Sequence, residues 1–180
     1  MTTLPQSDRS LSVIQGEFRI SEASEDLLST VLGSCVAVCL HDPGRRIGGM
    51  NHFLLPFGQG HGTDRPVRYG LFAMEILVNE LMKQGAVKAR LQAKIFGGAK
   101  IMADLGDIGK ANARFAQEFL HTEGIPCLAE SLGGTNARRI VFRPSTGVAR
   151  MMLVPSSNLS QIHPLLSPAK QEPDHRIDLF

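Results

Sequence analysis

The chain has 180 residues, of which 43% are hydrophobic, and its 19 Lys and Arg against 17 Asp and Glu give a formal net charge of +2. This length favours a single domain with a sizeable core. The balanced charge, without a long basic run, argues against a nucleic-acid-binding protein. The first residues lack the basic and apolar regions of a secretory leader, and no apolar run approaches the roughly 20 residues that span a bilayer. We therefore expect a soluble, cytoplasmic protein.

The ends of the chain differ in composition from the rest. Residues 1–16 are polar and aperiodic, and residues 157–180 are polar and rich in proline and charge. Both segments are expected to be flexible. The domain is therefore predicted to span residues 17–156.

The first half of this domain predicts two strands and a helix. Residues 30–40, TVLGSCVAVCL, predict a buried strand entered through a Gly-Ser turn, and residues 47–56 predict a second strand after the turn HDPG. Residues 62–85 have apolar side chains at three- and four-residue steps, which is typical of an amphipathic helix. The predicted inner face of that helix contains Leu71, Met74, Leu77, Val78 and Leu81.

The second half predicts a short strand, a helix and three further strands. The helix covers residues 106–124, with Ile108, Ala111, Phe115, Phe119 and Leu120 available to its inner face. The four predicted strands cover residues 89–98, 125–134, 138–147 and 148–155. Helices and strands mix without strict alternation, which predicts an α+β fold: a single layered domain with a mixed or antiparallel sheet packed by helices.

The three cysteines, Cys35, Cys39 and Cys127, are odd in number and lack the spacing of a disulfide framework, so reduced thiols are expected. Cys35, Cys39, His41 and His52 lie close together in the sequence and could suggest a metal site. However, the first two would lie about 13 Å apart on one strand, too far to share a tetrahedral ion. We therefore do not favour a metal.

Two Gly-Gly segments, FGGAK and SLGGTNARR, could suggest phosphate binding. Neither matches a P-loop or a dinucleotide fingerprint, and a Gly-Gly pair at a strand end is more often a tight turn. Asn136, Arg138 and Arg139 stay open as weak candidates for binding an anion.

A thiol nucleophile is the third interpretation of the cysteine region. Gly33 and Ser34 precede Cys35, so backbone N–H groups can converge there on an oxyanion, and His52 lies on the neighbouring predicted strand. His41 is the competing base, but it falls in the predicted HDPG turn and is expected to point into solvent. From the residues alone, a Cys35–His52 pair and ordinary core packing both stay open.

Six segments of the chain together resemble a known family: LGSCVAVCLHDP, GGMNHFLLP, RYGLFAMEILVNELMKQGA, AKIFGGAKIM, IGKAN and LGGTNARRIVFRPSTG. In order and spacing they are similar to the CheD family of bacterial chemoreceptor glutamine deamidases, from about residue 15 to about residue 155. The resemblance implies a cysteine-hydrolase sandwich of the CheD and toxin-deamidase type. It also implies an enzyme that converts glutamine side chains of methyl-accepting chemotaxis receptors to glutamate.

The resemblance also implies site residues. The family nucleophile falls on Cys35 and the family base on His52, while the upstream threonine of the family falls on Ser29 by strict count and on Thr30 by residue type. The implied chemistry is attack by a Cys35 thiolate paired with protonated His52, with the oxyanion held by backbone N–H groups of Ser34 and Cys35. Cys39 and Cys127, in apolar segments, are expected to be buried and inert.

The implied reaction needs no metal or organic cofactor and passes through a thioester. The implied partners are the receptors, as substrates, and a CheC-type phosphatase. A different class of function stays open beside the enzyme: a binding module with the same fold that docks on such a phosphatase or on receptors without chemistry.

Overall fold

The structure is a computed structural model that describes residues 7–55, 64–101 and 107–154. These residues form two helices and nine strands, with a short 3-10 helix at Lys88–Arg90. The helices are α1 (Asp64–Lys83) and α2 (Ile108–Thr122). The strands are β1 (Arg9–Ser12), β2 (Phe18–Ser21), β3 (Asp26–Leu32), β4 (Val36–Asp42), β5 (Ile47–Phe53), β6 (Gln92–Gly97), β7 (Cys127–Leu132), β8 (Ala137–Arg143) and β9 (Val148–Val154).

The strands form two sheets. One has the order β1-β3-β8-β9 and the other the order β2-β5-β4-β6-β7. Each sheet contains one parallel pair, β1 with β3 and β6 with β7, and is otherwise antiparallel. The predicted α+β class is confirmed, and the strands are divided between two mixed sheets.

One predicted strand is wrong, because its two halves belong to different sheets. Residues 30–40 were expected to enter one strand through a Gly-Ser turn, but Thr30, Val31 and Leu32 belong to β3 and residues 36–40 to β4, in different sheets. Residues 33–35 form the bend between them. Both flanks are apolar, so the sequence gives no sign that the chain changes sheets there.

Side chains of β4 alternate between two cores. Val36, Val38 and Leu40 pack with residues of α1 and α2. Cys35, Ala37 and Cys39 point the other way, between the sheets, where they pack with Leu28, Leu32, Met50, Ile140 and Phe142. This alternation follows from the two-residue period of a strand and places Cys35 on the face that looks toward the other sheet.

Both predicted helices are confirmed. In α1, Met74, Leu77, Val78 and Leu81 are buried as predicted, while Leu71 is exposed. In α2, Ile108, Phe119 and Leu120 are buried, and Ala111 and Phe115 are half-buried. Among the described residues, no helix is both long enough and apolar enough to cross a membrane.

The N-terminal segment differs from expectation. Strand β1 lies within residues 1–16, which were predicted to be flexible, and pairs with β3 from Arg9 to Ser12. Most of the side chains of β1 are exposed, so the strand lacks the alternation of apolar and polar residues by which a strand is recognised in a sequence. Residues 157–180, also predicted to be flexible, lie outside the described residues.

Candidate active site

His52, the predicted base, lies on β5, and Cys35, the predicted nucleophile, lies in the bend directly before β4. His52 of β5 pairs with Ala37 of β4, and Cys35 precedes Ala37 by two residues. Diagonal neighbours within paired strands have Cα atoms about 7–8 Å apart and side chains on one face of the sheet, and Cys35 lies one residue before the first residue of β4. Cys35 is 7% exposed and His52 is 3% exposed, so both face the interior between the sheets near its edge.

The ring of His52 is held from its Nδ1 side. Thr30 Oγ1 lies 2.9 Å from Nδ1, and the Val13 carbonyl oxygen lies 3.2 Å from the same nitrogen. The Thr30 hydroxyl donates to the Val13 carbonyl at 2.7 Å, and a carbonyl can only accept. The hydroxyl must therefore accept from the ring, which assigns the hydrogen to Nδ1.

This assignment leaves Nε2 of His52 as the unprotonated nitrogen. Nε2 is buried and has no hydrogen-bond partner among the described residues. A buried polar atom without a partner is rare and costs free energy unless a ligand or reactant uses it. The geometry is that of a general base: one nitrogen fixed, the other free to accept a proton.

Burial determines the charge of both side chains. Removal from water raises the pKa of the Cys35 thiol to about 11. The same effect lowers the pKa of His52, against a smaller opposing effect of the Val13 carbonyl. The thiolate and imidazolium expected from the sequence are therefore disfavoured at rest, because both charges would be desolvated. The resting pair is a neutral thiol and a neutral imidazole.

The structure distinguishes Ser29 from Thr30. Neighbouring residues of a strand point to opposite faces, and only Thr30 contacts His52. The Ser29 hydroxyl lies 3.3 Å from that of Ser10, at the surface.

The bend at residues 33–35 is held in place by hydrogen bonds to its carbonyl groups. The carbonyl oxygens of residues 33, 34 and 35 accept hydrogen bonds from Ala99 N–H at 2.9 Å, Asn112 Nδ2 at 2.9 Å and Gly98 N–H at 2.8 Å, respectively. In a trans peptide the N–H points opposite to the preceding carbonyl. The amides of Ser34 and Cys35 are thereby turned to the other side, and neither donates to a backbone carbonyl of the described residues.

Asn112 is a functional candidate that the sequence analysis missed. It is fully buried, and its Oδ1 accepts from Leu55 N–H at 2.8 Å while its Nδ2 donates to Ser34. It therefore links the bend before Cys35 to the segment after β5. The available signal was an amide side chain on the inner face of a predicted helix, within the segment IGKAN.

Gln15 is a second missed residue, in the segment predicted to be flexible. The Cys35 thiol donates to Gln15 Oε1 at 3.3 Å, and no hydrogen bond joins the thiol to His52. Gln15 is exposed, and its turn is attached to β5 through Gly16 N–H and the His52 carbonyl, at 2.8 Å.

The other sequence candidates lie elsewhere. His41, expected in solvent, belongs to β4 and is buried, because the β8–β9 turn covers it and the Pro144 carbonyl binds its Nδ1 at 2.9 Å. Cys39 is buried as expected, but Cys127 is exposed, because β7 is an edge strand. Within the described ranges, no three His, Cys, Asp or Glu side chains could share a metal ion.

The open anion candidates receive no support from their contacts. Arg138 is buried and stabilises its own loop, donating to Ser131 Oγ at 3.0 Å and to the Gly133 carbonyl at 2.7 Å. Arg139 and Asn136 are exposed.

Comparison with known proteins identifies the family of this chain. The model of one family, described as CheD chemotactic sensory transduction, matches residues 54–152. The chain is 48% identical over 158 residues to a probable chemoreceptor glutamine deamidase CheD of Caulobacter vibrioides (strain NA1000 / CB15N), covering 87% of this chain and 84% of the relative. The chain belongs to the CheD family. A match of that extent includes Thr30, Cys35 and His52 wherever it begins, although the family model itself starts after them.

Other relatives agree. Identity is 50% over 153 residues to a probable chemoreceptor glutamine deamidase CheD of Acidiphilium cryptum (strain JF-5), covering 83% of this chain and 80% of that one. It is also 50% over 145 residues to the protein of the same name from Rhizobium meliloti (strain 1021), covering 79% of each. Among solved structures, the hypothetical protein YfiH of Bacillus licheniformis has a TM-score of 0.43 at 17% identity, covering 69% of this chain and 60% of that one.

Proposed function

We propose that this member of the CheD family deamidates glutamine side chains of chemoreceptors to glutamate, with Cys35 as nucleophile and His52 as general base. The observation that carries the proposal is the buried His52 ring, held at Nδ1 by Thr30 and with no partner at Nε2 among the described residues, in the same interior between the sheets as Cys35. The substrate class rests on the names of the relatives. A free thiol nucleophile fits the reducing cytoplasm, where we place the reaction.

The first half of the reaction forms a thioester. A receptor glutamine brings its carboxamide to the edge of the sheet, and Nε2 of His52 takes the proton of the Cys35 thiol as sulfur attacks the carboxamide carbon. The amides of Ser34 and Cys35 hold the oxyanion of the tetrahedral intermediate. His52 then gives its proton to the leaving nitrogen, and ammonia departs.

The second half returns the enzyme. His52 takes a proton from water, the resulting hydroxide attacks the thioester carbon, and the Cys35 sulfur leaves and is protonated. The product is a glutamate side chain. Thr30 keeps Nδ1 protonated throughout, so that Nε2 always faces the reacting atoms. The receptor gains one negative charge for each glutamine converted, and we infer that this contributes to chemotactic adaptation.

The experiment incubates the protein with a receptor cytoplasmic fragment and measures, by mass spectrometry, the gain of about one dalton for each deamidated glutamine. Cys35→Ala and His52→Ala are each expected to lower the rate by at least about a thousand-fold, because residues that act as one chemical unit fail together. Cys127→Ser, a matched change at an exposed thiol, should retain the rate. Circular dichroism checks that each variant is folded.

An active Cys35→Ala variant would exclude the thiol mechanism. If wild type binds the receptor fragment without changing its mass, the protein is instead a binding module. Docking on a CheC-type phosphatase stays a prediction that this assay does not address.

A further inference from the structure

The carboxamide of Gln15 lies against the proposed nucleophile. Its Oε1 accepts the thiol hydrogen of Cys35 at 3.3 Å, from an exposed position at the tip of a turn. The turn is closed by Glu17 N–H donating to the Ile14 carbonyl at 3.0 Å. It is attached to β5 on both sides of Gln15, through the Val13 carbonyl with the His52 ring and through Gly16 N–H with the His52 carbonyl.

The residues on either side of Gln15 line two cavities that both reach His52. One, of about 50 Å³, is lined by Val13, Ile14, Thr30 and His52 among others. The second, of about 160 Å³, is lined by Gly16, Glu17 and His52 together with Tyr69 and Phe72 of α1.

The hydrogen bond to Gln15 is not the one that the reaction needs. The thiol hydrogen points to Gln15 Oε1, whereas Nε2 of His52, which must receive it, has no partner among the described residues. A thiol has one hydrogen to donate. The thiol must turn away from Gln15 before His52 can deprotonate it.

We propose that the Gln15 side chain occupies the subsite of the substrate's carboxamide and that a receptor glutamine displaces it. The inference rests on the proposed function and deepens it: the chain's own primary amide, chemically identical to the group that is hydrolysed, covers the thiol while no substrate is bound. Displacement releases the thiol to turn toward His52. Gln15 thus acts as an intramolecular competitor.

The same geometry explains why Gln15 is not itself the substrate. Its Oε1 is engaged by the thiol hydrogen, and the amides of Ser34 and Cys35, the proposed oxyanion donors, do not bind it. An amide carbonyl that accepts a hydrogen bond from the nucleophile presents its oxygen, not its carbon, to the sulfur. The bound side chain is therefore unproductive.

Alkylation of Cys35 by iodoacetamide tests, without any substrate, whether the Gln15 side chain shields the thiol. Gln15→Ala is expected to raise the rate of Cys35 labelling about three- to ten-fold, the range that corresponds to loss of one hydrogen bond. Gln15→Glu should label more slowly than wild type, because a carboxylate beside the sulfur opposes formation of the thiolate. Gln84→Ala, at an exposed glutamine after α1, is the matched control and should label as wild type does.

Cys127, an exposed thiol, provides the internal standard in every peptide map. The expected order of Cys35 rates is Gln15→Ala above wild type above Gln15→Glu, with the Cys127 rate constant. Any other order overturns the proposal. Cys39 is only 1% exposed, so it is labelled only if a variant has lost its fold. If Cys39 of Gln15→Ala is labelled, the rate of Cys35 labelling is measured in Gln15→Met instead.

Deamidation of the receptor fragment gives the second readout. A competitor raises KM and leaves kcat unchanged, so Gln15→Ala should lower KM by the factor measured in labelling. An unchanged KM beside faster labelling would mean that Gln15 covers the thiol outside the carboxamide subsite, and the proposal fails. Because labelling needs no catalysis, a chain that labels in the expected order but never deamidates contradicts the proposed function alone.

Discussion

At the scale of single residues, the hydroxyl beside His52 distinguishes Thr30 from Ser29. Thr30→Val keeps the shape of the side chain but removes the acceptor for Nδ1–H, leaving only the Val13 carbonyl at 3.2 Å. The ring then loses part of its orientation, and we expect kcat to fall about ten- to a hundred-fold, a part of what general acid–base catalysis supplies. The measurement is the deamidation rate as a function of pH, with Ser29→Ala as the control.

Ser29→Ala removes a hydroxyl from the same strand but from the surface face, so it should leave the rate unchanged. Equal losses in the two variants would show that the effect comes from β3 as a whole and not from contact with the ring.

The residues of the site differ in how far the sequence predicts them. Cys35 and His52 stand in recognisable segments, and their common face follows from the two-residue period of paired strands. Gln15 and Asn112 could not be assigned, because each acts through a contact with a residue distant in the sequence. The sequence also gives no sign of the effect of burial on the thiol, because burial, which raises the pKa of Cys35 and disfavours the expected thiolate, is a property of the folded chain.

At the scale of elements, one carboxylate fixes the far end of β4. Asp42 is fully buried and accepts from Gly44 N–H at 2.8 Å, from Val87 N–H at 2.8 Å and from two nitrogens of Arg90, at 2.9 and 2.8 Å. It thus joins the β4–β5 turn to the segment after α1. The register of β4 and β5 places Cys35 near His52. The hydrogen bonds of Asp42 stabilise these two strands at the end opposite to the site.

Asp42→Asn should therefore destabilise the fold while leaving the chemistry intact. We expect the free energy of unfolding to fall by about 2–4 kcal/mol, near the range for breaking a buried ion pair. Arg90 holds the pKa of Asp42 well below its usual value. The stabilisation from the Asp42 charge is therefore fully present above the pKa of Asp42 in the unfolded chain, about 4. It is lost as the pH falls toward the lower pKa of Asp42 in the folded protein.

Urea unfolding at pH 7 and at pH 3 measures this loss, and the difference between wild type and variant should shrink at the lower pH. Glu118→Gln, which breaks an exposed pair with Arg114, is the control and should cost less than about 1 kcal/mol. A difference that is independent of pH would mean that the Asp42 charge contributes nothing.

The elements themselves were largely predictable, and their arrangement was not. Both helices and the strands after Val36 have the expected periodicity or turn residues, whereas β1, β2 and the separate strand β3 were missed. Short exposed strands such as β1 have no apolar pattern of their own and form because a partner strand pairs with them. The change of sheet at residues 33–35 is hidden by apolar flanks.

At the scale of the whole molecule, the site lies where the two sheets meet, and the N-terminal segment contributes to it directly. Val13 is 1% exposed and packs in the core between the sheets, while its carbonyl binds both Thr30 and His52. The predicted boundary at residue 17 therefore passes through the functional unit. A domain drawn from sequence composition would omit residues that contact the candidate active site.

Two truncations test this boundary. Removing residues 1–16 takes away β1 and the Val13 carbonyl, so we expect kcat for deamidation to fall by at least about a hundred-fold, since His52 loses a positioning contact and the core loses Val13. The thermal midpoint should fall as well, because β3 becomes an exposed edge on that side. Removing residues 2–6 instead keeps β1 and every contact of Val13 and Gln15, and should preserve both activity and midpoint. Full activity in the longer truncation would mean that residues 17–154 hold His52 and Cys35 in place by themselves, and that the contacts of Val13 are dispensable.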